Sequence, residues 1–275
     1  MHEALLTWAA ARGRDLPWRR TRDPWAILVS EAMLQQTQVA RVEPRYRAFL
    51  ERFPTPAACA AAPVADVVRE WAGLGYNRRA VSLHGAAVAV VAHHGGALPP
   101  DLDALLELPG VGPYTARALM AFAFDAEVGV LDVNAMRALS RATGRPIDQA
   151  AADALVPRGR AWAWNQAVLD LGATVCRPQP RCHSCPLVAS CAWRARGHPD
   201  PDPWRPGPRQ STFAGSDRQG RGRLVDALRT APVAPEAMAS TMGWPDDPER
   251  ARRVADSLVA DGLAVISADG SLSLP

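Results

Sequence analysis

The sequence predicts a mainly α-helical protein with a small α+β unit at its C-terminal end. Alanine, leucine and arginine dominate the first 195 residues, where apolar positions recur at intervals of three and four, as in residues 64–71 and 80–91. Strand patterns are weak, and prolines at positions 17, 24, 54, 56, 63, 99 and 100 separate the helical stretches. This pattern is typical of many helices joined by short connections.

Three segments follow one another along the chain. Residues 1–196 form the helical part, and the proline-rich residues 197–215 predict an extended linker. In residues 216–275 we expect helices over 221–229, 235–242 and 247–261, then a hairpin of strands 263–267 and 271–274. Three short helices and a hairpin resemble a winged helix-turn-helix.

The composition excludes several classes of protein. Of 275 residues, 48% are hydrophobic and 21% charged, which is ordinary for a globular protein, and no apolar run is long enough to span a membrane. The first residues lack a secretory signal pattern, so we expect a cytoplasmic protein. All 31 basic side chains are arginine, which excludes a lysine Schiff base. The net charge of +3 permits a nucleic-acid partner.

Two glycines mark the first candidate site, in the segment Leu-Pro-Gly-Val-Gly-Pro-Tyr from position 108 to 114. Gly110 and Gly112 predict a tight turn between helices, with Pro113 at the first position of the second helix. Exposed N–H groups at that helix N-terminus would bind a DNA phosphate without reading sequence. The alternative is a plain helix–helix turn.

Two carboxylates are candidates for catalysis. Asp132 lies 20 residues after Gly112 and also suits the N-cap of the helix that follows. Glu31 lies in the segment Ser-Glu-Ala-Met-Leu-Gln-Gln-Thr, in the first turns of a predicted helix. From spacing alone, Glu31 is also explained as a capping glutamate on a solvated face.

Four of the five cysteines form a cluster with the spacing C-x5-C-x2-C-x5-C: Cys176, Cys182, Cys185 and Cys191. Four thiolates this close together suit either an iron–sulfur cluster or a structural zinc ion. His183 stands between two of them and is not expected to be a ligand. Arg177, Arg181 and Arg194 would offer phosphate contacts or simply form a solvated basic loop. The remaining Cys59 is expected to be buried.

Several motifs together resemble the MutY-type adenine DNA glycosylases of the helix-hairpin-helix, iron–sulfur superfamily. They are Leu-Pro-Trp-Arg at 16–19, the segment around Glu31, Gly-Leu-Gly-Tyr at 73–76, the glycine hairpin, and Trp-Asn-Gln-Ala-Val-Leu-Asp-Leu-Gly-Ala at 164–173. The resemblance covers nearly all of residues 5–192. It implies a helix-hairpin-helix glycosylase fold, a six-helix barrel plus an iron–sulfur domain, and it favours a [4Fe–4S] cluster, although the first cysteine gap is one residue shorter than in the family.

The resemblance also assigns roles to residues. Glu31 would be the general acid that protonates N7 of adenine, and Asp132 would stabilise the oxocarbenium ion or form a transient covalent adduct. Tyr114 and Asn134 match positions that orient these groups. Gln36 and Tyr76 match positions that wedge into the duplex near the opposite base. The positions around the flipped adenine are matched or lined by Arg14, Trp18, Arg19, Leu34 and Gln166.

The implied reaction is removal of adenine from double-stranded DNA containing A:8-oxoG or A:G mispairs, by a monomeric, nucleoid-associated bacterial enzyme. Tyr114 stands where strand-cleaving relatives carry a lysine, so a monofunctional glycosylase is predicted. Residues 216–275 are too few for the Nudix-like domain of longer members, and their Phe-Ser-His loop has no match. The segment from Phe213 resembles one in short bacterial members, and its arginines would contact DNA or form a solvated surface.

Two other functions compete with this interpretation. One is a thymine or uracil mismatch glycosylase of the same superfamily, against which the Leu-Gln-Gln-Thr sequence after Glu31 argues. The other is a non-catalytic DNA-binding protein with the hairpin and the winged helix as two DNA contacts. The pair Glu31 and Asp132 argues against it, because phosphate binding gains nothing from buried acids.

Overall fold

The computed structural model describes residues 1–199, 202–204 and 211–275. The predicted linker therefore lies partly outside the described residues, at positions 200, 201 and 205–210. The chain divides into two compact units. Unit 1 comprises Met1–Ile27, Pro100–Asp103 and Gly112–Arg209, and unit 2 comprises Leu28–Pro99, Ala104–Val111 and Gln210–Pro275.

The described residues contain fifteen α-helices and one two-stranded sheet. In chain order these are α1 His2–Arg12, α2 Pro24–Leu34, α3 Val39–Arg52, α4 Pro56–Ala60, α5 Val64–Glu70, α6 Arg78–His93, α7 Leu102–Leu106, α8 Pro113–Phe122, α9 Val133–Thr143, α10 Gln149–Ala154, α11 Ala161–Asp170, α12 Ala192–Ala195, α13 Asp217–Leu228, α14 Met238–Met242, α15 Pro248–Ala260, β1 Val265–Ile266 and β2 Leu272–Ser273. The predicted mainly helical fold is confirmed.

The core of unit 1 forms where α1, α9 and α11 pack together. Leu5, Leu139, Trp164 and Val168 are among its side chains, each no more than 3% exposed. A π-helical turn, Leu171–Val175, continues α11 towards the cysteines. The unit is thus a helical scaffold with Asp132 at the start of α9 and the cysteine segment beyond α11.

An aromatic part of the core of unit 2 lies between α3 and Trp71, the residue that ends α5. Val42, Tyr46 and Phe49 repeat at helical spacing on α3 and are buried, and the Phe49 ring packs edge-on against Trp71 with centroids 6.1 Å apart. At the neighbouring α4, Thr55 Oγ1 accepts a hydrogen bond from Ala58 N at 3.1 Å and starts the helix. Cys59 on α4 is fully buried, as predicted, and burial raises the pKa of its thiol to about 12.

The C-terminal unit, by which we mean residues 211–275, is the last segment of unit 2 and has the predicted elements. Helices α13, α14 and α15 precede a hairpin in which Val265 pairs with Ser273 and Ile266 with Leu272. It is bonded to α5: Ala65 N donates to the Pro275 carbonyl at 3.2 Å, and Arg229 Nε donates to the Val68 carbonyl at 3.0 Å. The boundary at residue 216 stays a prediction.

Two further expectations concern the whole described chain. The described residues form no closed barrel of helices, which corrects the six-helix barrel. Across the same residues, no helix combines the length and hydropathy that crossing a membrane requires.

Candidate active site

Asp132 is fixed at the N-terminus of α9 by three hydrogen bonds. Its Oδ1 accepts from the backbone N–H groups of Asn134 at 2.9 Å and Ala135 at 2.6 Å, and its Oδ2 accepts from Nδ2 of Asn134 at 2.9 Å. These donors hold the half-buried carboxyl group in one orientation at the positive end of the helix dipole. The predicted N-cap is confirmed, and the same position suits an anion that faces a developing cation.

Asn134 is connected to the cysteine segment through Arg137, which is only 3% exposed. Arg137 NH2 donates to Asn134 Oδ1 at 2.8 Å and to the Gly172 carbonyl at 2.9 Å, and its Nε donates to the Cys176 carbonyl at 2.7 Å. A Cβ at Gly172 would lie 2.4 Å from the Asn134 carbonyl oxygen, so only glycine fits there. Sequence reasoning gave Arg137 no role; the signal was a cation inside the apolar face of a helix.

Arg14 and Arg19, predicted near the flipped base, both bind Asp170 at the end of α11. Arg14 Nε donates to Asp170 Oδ1 at 2.6 Å, and Arg19 donates to both carboxylate oxygens at 2.7 and 2.8 Å. Asp170 is 1% exposed. Burial alone would raise the pKa of this carboxyl, but the hydrogen bond and charge of Arg19 and the charge of Arg14 hold it below its ordinary value.

Asp170 was missed by sequence reasoning, although an acid inside the apolar run 167–171 signals a paired charge. The other predicted residues of unit 1 differ in exposure. Trp18, on the 3-10 turn Pro17–Arg19, is 8% exposed, whereas Tyr114 and Gln166 are half-buried.

Glu31 lies on α2 in an apolar segment and is 7% exposed, and the adjacent Ser30 is 1% exposed. The alternative of a capping glutamate on a solvated face is therefore wrong. Leu34, at the end of the same helix, is half-buried.

Gln36 and Tyr76 share an uncommon backbone conformation. Their φ angles are +54° and +47°, in the left-handed region that side chains other than glycine rarely adopt. Both residues are exposed, Tyr76 to 43%. Non-glycine residues held in this region are enriched at functional sites, because the surrounding structure has to enforce the conformation.

Arg79 on α6 enforces both conformations with one guanidinium group. NH1 donates to the carbonyls of Ala32, Met33 and Gln35 at 2.7–2.9 Å, just before Gln36. Nε and NH2 donate to four further acceptors, three in the loop that ends at Tyr76 and one at Thr37, directly after Gln36.

These further acceptors are the carbonyls of Leu74, Gly75 and Tyr76 and the hydroxyl of Thr37, at 3.0–3.3 Å. Burial lowers the pKa of Arg79 to about 10. The structure therefore brings the two predicted wedge residues together through a residue that sequence reasoning missed.

The two hairpin glycines are required for different reasons. Gly110 has φ +77°, and a Cβ there would lie 2.6 Å from Ser82 Cβ, so the fold itself demands glycine. Gly112 is the N-cap of α8 with φ −93°, and a Cβ there would meet nothing within 4 Å. The absence of a side chain at Gly112 leaves the helix N-terminus open to an approaching group.

The predicted site residues fall in both units. Unit 1 carries Asp132, Asn134, Tyr114, Gln166, Arg14, Trp18, Arg19 and Gly112, and unit 2 carries Glu31, Leu34, Gln36, Tyr76 and Gly110. Direct contacts join Asp132 to Asn134 and Arg14 to Arg19. The convergence of Glu31 and Asp132 on one nucleoside stays a prediction.

All four clustered cysteines line one cavity of about 320 Å³, a volume that includes its open mouth. None forms a disulfide, and each is half-buried. Burial raises the pKa of the Cys185 thiol to about 11. Among the described residues no group of three potential ligands is close enough to hold a metal ion, but four thiols around one cavity are the donor set that an iron–sulfur cluster or zinc requires.

The loop that carries these cysteines is shaped by Arg141, whose side chain is 4% exposed. Its NH1 donates to the Arg177 carbonyl at 2.7 Å and lies 3.8 Å from Cys176 Sγ, and its NH2 bonds Asp202 at 2.6 Å. The predicted phosphate contacts, Arg177, Arg181 and Arg194, are all exposed, as is His183.

Comparison with known proteins identifies the family. Residues 29–154 match the model of the HhH-GPD superfamily base excision DNA repair protein. An adenine DNA glycosylase of Mycolicibacterium smegmatis is 44% identical, over 98% of this chain and 94% of that protein. The chain belongs to the adenine DNA glycosylase family. The human adenine DNA glycosylase is 40% identical over 70% of this chain, which spans 39% of the human protein.

Two solved structures of DNA repair enzymes have a similar fold. A thermostable thymine-DNA glycosylase superposes with a TM-score of 0.67 and 30% identity, covering 70% of this chain and 94% of that one. Endonuclease III in a DNA complex has a TM-score of 0.61 at 22% identity, over 72% of this chain and 97% of that one, which shows the shared fold alone. Membership in a family of DNA glycosylases favours an enzyme over a non-catalytic DNA-binding protein.

Proposed function

We propose that this enzyme is a monofunctional adenine DNA glycosylase that releases adenine paired with 8-oxoguanine or guanine in double-stranded DNA. The observation that carries the proposal is the 44% identity to an adenine DNA glycosylase over 98% of the chain, so the relation includes the C-terminal unit. The fixed Asp132, the buried Glu31 and the strained Gln36 and Tyr76 support it.

The proposed reaction begins with proton transfer from the Glu31 carboxyl to N7 of adenine. The bond between C1′ and N9 then breaks, and its electron pair leaves with the base as neutral adenine. Asp132 stabilises the sugar cation, as an ion pair or a transient ester at C1′. Water adds its hydroxyl to C1′, and its proton returns to Glu31, which leaves an abasic site. Asn134 holds the Asp132 carboxylate in place throughout.

Adenine has to leave the duplex before it meets these groups, at a cost of a few kcal/mol for unstacking. Gln36 and Tyr76 are proposed to occupy the duplex near the opposite base, and N–H groups at Gly112 and the start of α8 are proposed to bind a phosphate. Trp18, Leu34 and Gln166 would line the pocket of the base. The enzyme is proposed to act as a monomer.

Cys176, Cys182, Cys185 and Cys191 are proposed to hold a [4Fe–4S] cluster, since four half-buried thiols share one cavity. When bound, the cluster would supply structural cross-linking of the loop that carries Arg177, Arg181 and Arg194. Arg137 and Arg141 on α9 donate to the carbonyls of Cys176 and Arg177 and so connect this loop to the helix. A brown protein that absorbs blue light would distinguish iron–sulfur from zinc.

Single-turnover base release tests the function. Duplexes containing A:8-oxoG, A:G, A:C and T:G separate adenine removal from the second candidate, thymine removal, which the 30% identity to a thymine-DNA glycosylase motivates. Glu31→Gln and Asp132→Asn should each lower the adenine rate by about 10²-fold or more. Asn retains N-cap capacity, so loss in Asp132→Asn does not reflect a lost helix cap. The α10 N-cap variant Asp148→Asn is the matched control.

The outcomes are distinct. Release of thymine from T:G without release of adenine would replace the proposal by the second candidate. Unchanged rates in both carboxyl variants would remove Glu31 and Asp132 from the mechanism. Equal rates on the A:8-oxoG, A:G and A:C duplexes would contradict a preference for 8-oxoguanine while leaving adenine removal in place.

A further inference from the structure

The C-terminal unit is held firmly beside Tyr76. In addition to the bonds that join it to α5, Arg229 NH2 donates to Asn77 Oδ1 at 2.8 Å, one residue after Tyr76. Arg78 pairs with Asp261 at 3.5 Å. The part of the chain that follows the linker is therefore anchored on both sides of the candidate wedge residue.

Arg218, in the first turn of α13, lies at the Tyr76 side chain. Its NH1 is 3.5 Å from the Tyr76 hydroxyl oxygen, and its NH2 donates to the Ser211 carbonyl at 2.6 Å. The guanidinium also lies 5.9 Å from the centroid of the Phe213 ring. Phe213 is 57% exposed and Tyr76 43%, so two exposed aromatic rings and a cation form one surface.

The turn that presents Phe213 is well bonded. Ser216 donates to the Phe213 carbonyl through both its N–H at 3.1 Å and its hydroxyl at 2.7 Å. Arg250 NH2 donates to the Gly215 carbonyl at 2.8 Å. An exposed phenylalanine on a fixed turn exposes apolar area to water, and rings presented in this way are common stacking partners for nucleobases.

We propose that Arg218 and Phe213 contact the base opposite the adenine and determine which opposite base the enzyme accepts. This rests on the proposed function, in which Tyr76 enters the duplex next to that base. A guanidinium donates hydrogen bonds to acceptors on base edges. 8-Oxoguanine carries a carbonyl acceptor at C8 that guanine lacks, and an N7–H donor where guanine has an acceptor. A guanidinium at Tyr76 that donates to the C8 oxygen therefore favours 8-oxoguanine over guanine.

A phosphate contact by Arg218 is the competing outcome. A cation that binds only phosphates acts on every duplex alike, because the backbone carries no sequence information. The two outcomes therefore differ in the ratio of rates on A:8-oxoG and A:G, and a loss common to both duplexes does not change this ratio.

The experiment measures single-turnover adenine release by the full-length protein on both duplexes. Arg218→Ala should lower the A:8-oxoG to A:G ratio about tenfold, in the range of one good base contact. Arg218→Lys keeps the charge but loses the planar fork and should fall in between. Phe213→Leu should lower the ratio less than Arg218→Ala. The control Arg252→Ala removes the same charge from an exposed position on α15 and should leave the ratio unchanged.

Each other result has a defined meaning. An unchanged ratio in Arg218→Ala, or equal losses on both duplexes, overturns the proposal. A wild-type protein that releases adenine at equal rates from both duplexes also overturns it, while the adenine glycosylase function stands. A wild-type protein that releases no adenine refutes the proposed function instead. If Arg218→Ala does not fold, Arg218→Lys and Phe213→Leu carry the test.

Discussion

Replacing Arg79 by methionine should destabilise both loops that present Gln36 and Tyr76. Methionine keeps a long apolar stem but removes every N–H donor of the guanidinium. Seven acceptors lose a partner, four of them half-buried and three exposed. Gln36 and Tyr76, one in each loop, have positive φ angles. This backbone conformation costs about 1–3 kcal/mol at each position and persists only while neighbouring contacts enforce it.

The expected loss follows from the half-buried acceptors. Water replaces Arg79 at the exposed carbonyls, so these contribute little. The four half-buried bonds, at about 1 kcal/mol each and less than additive, predict a fall of about 2–4 kcal/mol in the free energy of unfolding. Folding no longer has to desolvate the Arg79 cation in the variant, which recovers part of this free energy. We therefore use about 1 kcal/mol for each bond and not the larger value of a hydrogen bond from a charged group.

Urea denaturation of the two-unit chain measures the loss, and single-turnover adenine release on A:8-oxoG measures its consequence. Arg69→Met is the matched control, because Arg69 makes one exposed ion pair with Asp66 at 2.7 Å and should cost about 0.5 kcal/mol or less. Arg79→Lys should recover part of the activity. If Arg79→Met costs no more than Arg69→Met, the interpretation of Arg79 as the residue that positions both loops is wrong.

Three other changes have defined outcomes. Gly110→Ala should lower the free energy of unfolding by about 1–2 kcal/mol or more because of its positive φ and the contact with Ser82. Gly112→Ala should leave stability in urea nearly unchanged and weaken DNA binding in a titration. Equal losses of stability in the two variants would contradict this. The pKa of Asp170 is lower in the folded protein than in the unfolded chain. The stability that the Asp170 carboxylate contributes is therefore fully present above the unfolded pKa and is lost as pH falls through the folded pKa. The difference in unfolding free energy between wild type and Asp170→Asn should therefore shrink between about pH 5 and pH 2, and a constant difference would refute it. Borohydride should trap no enzyme on abasic DNA, since the chain has no lysine; an adduct that survives blocking of the N-terminal amine would contradict this.

Much of the fold was predictable because local signals and packing agree. Apolar positions at intervals of three and four over residues 64–71 and 80–91 predicted the helices α5 and α6, and the turn Ala-Asp-Gly at 268–270 predicted the C-terminal hairpin. The absence of a closed barrel among the described helices was not predictable from this sequence. Helix periodicity shows which face is buried but not which other helix covers it, and the helices group into two units.

The candidate site was predicted less evenly. The N-cap at Asp132 follows from its position before an amphipathic helix, and the spacing of the cysteines placed four thiols on one cavity. Glu31 was uncertain because helical position alone does not distinguish a solvated glutamate from a buried one. The partners of Arg14 and Arg19 could not be read from the sequence, since Asp170 lies more than 150 residues away and contacts of this range depend on tertiary packing.

Arginine has two physical roles in this chain, and only one of them was visible in the charge pattern. A basic residue in a glycosylase-like motif suggests a DNA phosphate, yet Arg79, Arg137 and Arg141 direct their guanidinium groups at backbone carbonyls inside the protein. A guanidinium has five donors in a planar fork and can bond several carbonyls at once, which a lysine ammonium cannot match in geometry. Arg79, which is half-buried, fixes the loops of Gln36 and Tyr76, and the buried Arg137 and Arg141 fix the cysteine loop. The charge available to bind DNA is therefore smaller than the 31 arginines imply, and it is concentrated at exposed side chains such as Arg177 and Arg181.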